Sequence, residues 1–180
     1  MALTVAQISS AETDEALREL LSTELSRIFP PSLTADKNAQ LDACQKAPRG
    51  MRAMAAIYQL DVSMALDDLA WHFYNHHDVR FYKETRWGLQ ELEAYEAAEI
   101  FEQAYAIIAP NWETLGESRN EKEWDDMHNW FDETGIQPSI DPLNDRLWKI
   151  CKQWPEFGLL HYWLPYARKY PERCVGGTPP

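Results

Sequence analysis

His72 and His76 stand four residues apart, a spacing that turns two imidazoles to one side of a helix, where their nitrogens can bind zinc or another transition metal. His77 and Asp78 follow at once. A zinc-peptidase helix carries Glu beside its first histidine, and this chain has Phe73 there. No Glu-x-x-His pair is present for a di-iron bundle. A polar helix end beside a turn explains the cluster better, so no metal site and no cofactor are assigned. Asp125, Asp126 and His128 form a second acid–base candidate. Adjacent helical residues point about 100° apart, so the two aspartates do not converge, and an amphipathic surface is the stronger account.

Cys44, Cys151 and Cys174 are odd in number and widely spaced, which argues against a disulfide framework or a zinc knuckle. Nothing beside Cys44 or Cys151 marks a lowered thiol pKa, and burial as small apolar groups is expected. The serines lack a nucleophile-elbow motif. There is no phosphate-binding glycine loop and no dinucleotide fingerprint. No catalytic residue is therefore assigned, although active sites can assemble from distant residues.

The carboxylates are more informative as a surface. Residues 1–83 carry 11 acids and 8 bases, net −3; residues 84–135 carry 14 acids and 3 bases, net −11; residues 136–180 carry 4 acids and 6 bases, net +2. Almost the whole excess of −12 sits in the middle segment. Such a field repels nucleic acid and attracts basic surfaces, while the plainer reading is an acidic face that maintains solubility. Glu96, Glu99 and Glu102 fall on successive turns of one helix, and Glu91 joins the same side. An ordered negative row of this kind suits the basic groove of a DNA-binding protein, because DNA repeats its charges along an axis. Asp125 and Asp126 add to the acidic surface. Trp87, just before Gly88 at an expected corner, is the preferred exposed aromatic anchor, with a buried plug as the equal alternative.

The elements that must carry these residues read as helices. Leu17, Leu20, Leu21, Leu25 and Ile28 predict a helix over 14–29, ended by Pro30-Pro31. A second is expected from Ser32 to about Lys46, and a third from near Met51. Asp61 is expected to cap a fourth running to about Asn75, with Asp68, His72 and Asn75 on its polar side. Gly88 reads as a break before a helix over 89–109, whose apolar arc holds Ala94, Ala97, Ile100, Phe101, Ala104, Tyr105 and Ile108. A loop over 111–120, a helix over 121–133, a turn-rich stretch over 137–142 and two final helices complete the pattern. No β-alternation appears. The expected fold is all-α, an irregular multi-helix bundle with a single domain over 1–175; residues 1–11 read as a frayed or short packed extension, and 176–180 as a disordered tail. No apolar run reaches the roughly 20 residues a bilayer needs, and the N-terminus lacks a basic signal region, so a cytoplasmic protein without membrane contact is expected.

The stretch from Leu60 to Pro110 resembles a bacterial family of small acidic helical proteins, whose best-known member is described as a DNA mimic that binds a transcription regulator. The pattern is a helix ending in Phe73-Tyr74-Asn75, a short connection, Gly88-Leu89, an alanine- and glutamate-rich helix, and Pro110. The family's Asn-Gly-Gly-Phe element is replaced by Val62-Ser63-Met64-Ala65-Leu66. The likeness extends over about residues 50–170. It implies an all-α fold and a DNA mimic occupying the basic surface of a DNA-binding protein. On the residues alone, the chain reads as a non-enzymatic acidic interaction module. Its partner face is Glu91, Glu96, Glu99, Glu102, Trp87, Asp125 and Asp126, its partner a basic protein such as a DNA-binding regulator, with no direct nucleic acid binding; it is a monomer or a homodimer. The alternatives are a metal-dependent hydrolase using His72 and His76, and a structural or oligomerising bundle with ordinary surface acidity.

Overall fold

The computed structural model describes residues 2–30, 37–121, 124–151 and 158–176. Helix starts follow local capping chemistry. The Thr4 hydroxyl accepts the Gln7 amide hydrogen and the Gln7 side chain accepts from Thr4 N–H, a capping box that opens α1 (Val5–Ser10). Leu3 and Ile8 are buried, so this extension is packed rather than frayed. The Thr13 hydroxyl accepts the Ala16 amide hydrogen at the head of α2 (Asp14–Ile28), and Asp14 and Glu15 complement the helix dipole. The expected second helix appears as α3 (Lys37–Lys46); its predicted start at Ser32 lies outside the described residues.

The centre of the fold is α4 (Arg49–Leu66), which buries Met51, Met54, Ile57, Leu60 and Met64 at spacings of three and four. It runs straight through Asp61, so Asp61 caps nothing. The cap belongs to Asp68, whose Oδ1 accepts the Trp71 amide hydrogen at 3.0 Å at the start of α5 (Leu69–Asn75). Asp68 Oδ2 accepts from the Gln137 and Asn144 amides at 2.7 and 3.3 Å. Thus Asp68 and His72, expected on a polar face, are both buried. The reason is that α5 is enclosed on most sides, with Leu69 to Phe73 all buried.

Next, α6 (Val79–Glu91) begins at Asp78, which accepts the Arg80 amide hydrogen. Gly88 does not break it. A Cβ at this position would lie 2.9 Å from both the Ala53 carbonyl oxygen and the Ala56 Cβ, so the glycine lets α6 press against α4. The break falls later. Glu93 N–H donates to the Gln90 carbonyl and Ala94 N–H to that of Leu89, the paired bonds of a Schellman stop, with Glu93 at φ 61° where glycine is usual. A left-handed non-glycine residue costs roughly 1–2 kcal/mol. Lys169 Nζ, at 2.6 and 3.0 Å from the two carboxylate oxygens, and the Tyr170 hydroxyl, at 3.1 Å, hold Glu93 there. The bend separates α6 from α7 (Tyr95–Ile108).

Ala109–Asn111 forms a 3₁₀ turn into α8 (Trp112–Glu121), where a loop was expected; α9 (Trp124–Glu133) follows as expected. The stretch 137–142, expected as a turn, belongs to α10 (Ile136–Cys151). Its Ile140, Leu143, Leu147 and Ile150 are buried, and this apolar stripe offsets the hydrogen bond lost at Pro142. A 3₁₀ segment, Gly158–Tyr162, leads to α11 (Trp163–Lys169) and a last 3₁₀ turn, Pro171–Arg173. Residues 177–180 of the expected tail lie outside the described residues. The described residues form one all-α domain, without a strand among them, around a single apolar core.

Candidate interaction face

Helix α7 turns Ala97, Ile100, Phe101, Ala104 and Ile108 inward, which leaves Glu96 and Glu99 exposed on its outer side. Phe101 anchors the inner face, stacked on Phe73 of α5 at 5.2 Å and on Tyr82 of α6 at 5.7 Å between ring centres. On the far side of α5, α8 and α9 dock onto aromatic rings. Trp112 stacks on His77 at 4.3 Å, and the Trp112 carbonyl lies 2.7 Å from His77 Nε2. Phe131 and His128 pack against Trp71 at 5.4 and 4.8 Å. Burial of Leu115, Met127, Trp130 and Phe131 turns Glu113, Glu117, Asp126, Asp132 and Glu133 to solvent. No described ion pair involves Glu96, Glu99 or any of these five.

Other members of the acidic segment are paired across the fold. Glu91 accepts from Arg49 Nη2 at 2.6 Å, Tyr166 OH at 2.6 Å and Arg173 Nη1 at 3.2 Å, with its side chain 7 % exposed. It therefore clamps α4, α6 and the C-terminal turn together and lies off the exposed row. Burial by itself raises the Glu91 carboxyl; the bonds from Arg49 and Tyr166, with the guanidinium charges, outweigh burial and hold it below the usual carboxylate range. Glu102 is half-buried against Arg86. Glu84 is buried against Arg52, whose guanidinium lies 4.2 Å above the Trp87 ring. Trp87 is thus half-buried beneath a cation. The exposed aromatic beside Glu96 and Glu99 is Tyr95, 66 % exposed, which the sequence reading passed over because it opens a helix and no break in residue type marks it. Asp126 is exposed, and the Asp125 side chain lies outside the described residues.

A carboxylate with a depressed native pKa stabilises the fold above its unfolded pKa, and that contribution is lost as pH falls through the native value. Glu91→Gln should accordingly lower stability at neutral pH and flatten the loss of stability below about pH 4. Urea melts across that range check this; an acid limb as steep as that of the unaltered protein contradicts the assignment.

The histidines do not form an open metal centre. His72 is buried, its Nδ1 lies 3.0 Å from the Ser63 hydroxyl, and its ring centre is 4.8 Å from that of His76. Burial, then the neighbouring His76, holds its pKa well below the usual histidine value. Among the described residues no group of three His, Cys, Asp or Glu side chains is arranged to hold a metal ion. No helix among them is long and apolar enough to cross a membrane. Burial pushes the Cys44, Cys151 and Cys174 thiols up to about 12, which disfavours the thiolate at neutral pH.

Comparison with known proteins shows a family model, described as DMP19-like protein, that matches residues 45–169, from just before α4 to the end of α11. No curated protein and no solved structure matches the chain.

Proposed function

The chain belongs to the DMP19-like protein family, and on that premise we propose that it is a non-enzymatic acidic module that acts as a DNA mimic, occupying the basic surface of a DNA-binding protein. The observation that carries the reading is the set of seven exposed carboxylates on α7, α8 and α9 that no described cation neutralises. Glu96 and Glu99 supply rigidly spaced charge, because their helix is fixed by Phe101 and the alanines beneath it. Tyr95 beside them supplies an aromatic contact of the kind that dominates interface energies. Glu91 drops out of the contact set, since its charge is spent on Arg49 and Arg173. Glu102 contributes less than its neighbours because Arg86 already meets it. The hydrolase alternative gains no support: His72 is enclosed, and its Nδ1 lies 3.0 Å from the Ser63 hydroxyl.

The test is direct binding to purified DNA-binding regulators of the host, followed by fluorescence anisotropy with unlabelled duplex DNA as competitor. Binding to at least one regulator is expected, displaced by duplex and weakened as salt rises from about 50 to about 200 mM. Joint replacement Glu96→Gln, Glu99→Gln, Asp126→Asn, Asp132→Asn and Glu133→Gln should weaken it about 10- to 100-fold. A regulator held equally well by this variant, or no regulator held at all, defeats the proposal.

A further inference from the structure

A cavity of about 700 Å³ lies between α2, α3 and the outer face of α4; α2 precedes the family match, which begins at the end of α3. Its surface is mostly apolar: Leu25 of α2 and Phe29 just past its end, Val62 and Leu66 of α4, and Phe81 of α6. Leu66 is 76 % exposed, a large apolar side chain that no described element covers. Into one end of this surface projects Asp61. Its Oδ1 accepts the Leu159 amide hydrogen at 2.5 Å, and no described cation pairs with it. The arrangement is a built one. Gly158 sits at φ 50°, and a Cβ there would fall 2.1 Å from Asp61 Oδ1, so a side chain at this position would strain the backbone and displace the carboxylate. The other acid at the cavity, Glu84, is already matched by Arg52.

Among the described residues this half-buried carboxylate at the edge of apolar surface has no counter-charge, and a cavity of this volume suits a small molecule. We propose that the cavity binds a small lipophilic amine, its ammonium group paired with Asp61 and its apolar chain laid over Val62, Leu25 and Phe29. Burial raises the Asp61 carboxyl to about 6, against the Leu159 hydrogen bond that lowers it, and an ammonium neighbour would relieve that penalty. Shape and chain length are read by the α2–α4 walls; charge is read by Asp61 alone. The site shares no residue with the acidic face on α7, α8 and α9.

Octylamine, 1-octanol, octanoate and ethylamine are the probes, titrated calorimetrically into the full chain at neutral pH. Octylamine should bind, with 1-octanol and octanoate weaker by about 10- to 100-fold for want of the charge-assisted contact. Ethylamine, with the same charge and almost no chain, should bind more weakly still. Asp61→Asn keeps an oxygen for Leu159 and removes the charge; it should bring octylamine down to the level of 1-octanol. Val62→Trp, which fills the cavity from the α4 side, should abolish octylamine binding, with unliganded thermal melts of both variants confirming a folded chain. Equal binding of octylamine and 1-octanol, octylamine affinity indifferent to Asp61→Asn, or no octylamine binding in the millimolar range overturns the proposal. Retained affinity in a folded Val62→Trp variant does so too.

Discussion

Phe101→Ala is expected to destabilise the protein by about 3–5 kcal/mol, the cost of truncating a fully enclosed aromatic residue. Phe101 has no exposed surface and stands where three helices meet: it stacks on Phe73 of α5 and on Tyr82 of α6, with His72 edge-on at 5.6 Å. Part of the loss is the apolar surface no longer buried, and part is the void left among rings that cannot close over it, since each is held by further neighbours. Phe101→Leu keeps most of the volume and should cost about 1–2 kcal/mol, so the pair separates volume from ring stacking. Denaturant melts give both numbers. A Phe101→Ala penalty below about 1 kcal/mol would mean that the α5–α6–α7 junction collapses freely, contrary to the packing described.

The second large effect belongs to an ion pair. Arg52→Ala should destabilise by about 2–4 kcal/mol, because it strands the Glu84 carboxylate inside the α3–α4–α6 junction. The two guanidinium contacts, at 2.5 and 2.8 Å, are the only cation that Glu84 has among the described residues, and the Cys44 thiol 3.7 Å away cannot replace it. The lower end of the range reflects the partial exposure of Arg52. Much of that penalty is desolvation rather than attraction. The joint replacement Arg52→Met with Glu84→Met should therefore recover most of the stability, since it removes both charges and retains apolar volume. A double-mutant cycle measures the difference. A joint variant as unstable as Arg52→Ala alone would show that the pair itself, not the stranded charge, carries the energy.

Glu84 also shows where a linear reading stops. In the sequence it is one more acid of a segment with net −11, and nothing beside it announces burial. The cations that neutralise Glu84, Glu91 and Glu93 lie 32, 42 and 76 residues away along the chain, so pairing is invisible until the helices are packed. Glu96, Glu99 and Asp126, by contrast, occupy the polar arcs of strongly amphipathic helices, and periodicity alone set them outward. The all-α class was legible for the same reason, because apolar spacings of three and four recur; the caps at Thr4, Thr13 and Asp78 emerge only in the structure. Boundaries failed where a residue's usual local meaning was overridden by tertiary packing. Gly88 supplies room between helices instead of a stop, Pro142 is carried by the apolar stripe around it, and Asp61 serves a cavity wall instead of a cap.

The bend at Glu93 has a consequence for the order in which the molecule acquires its surface. Left to local preference, residues 89–109 favour an unbroken rod, as their periodicity indicates, and no glycine interrupts it. What stabilises the corner comes from Lys169 and Tyr170, which leave the ribosome 76 and 77 residues later. The heading of the Glu96–Glu99 ridge is thus decided late in synthesis. A nascent chain lacking that distant latch carries the same glutamates without yet presenting them at their final angle.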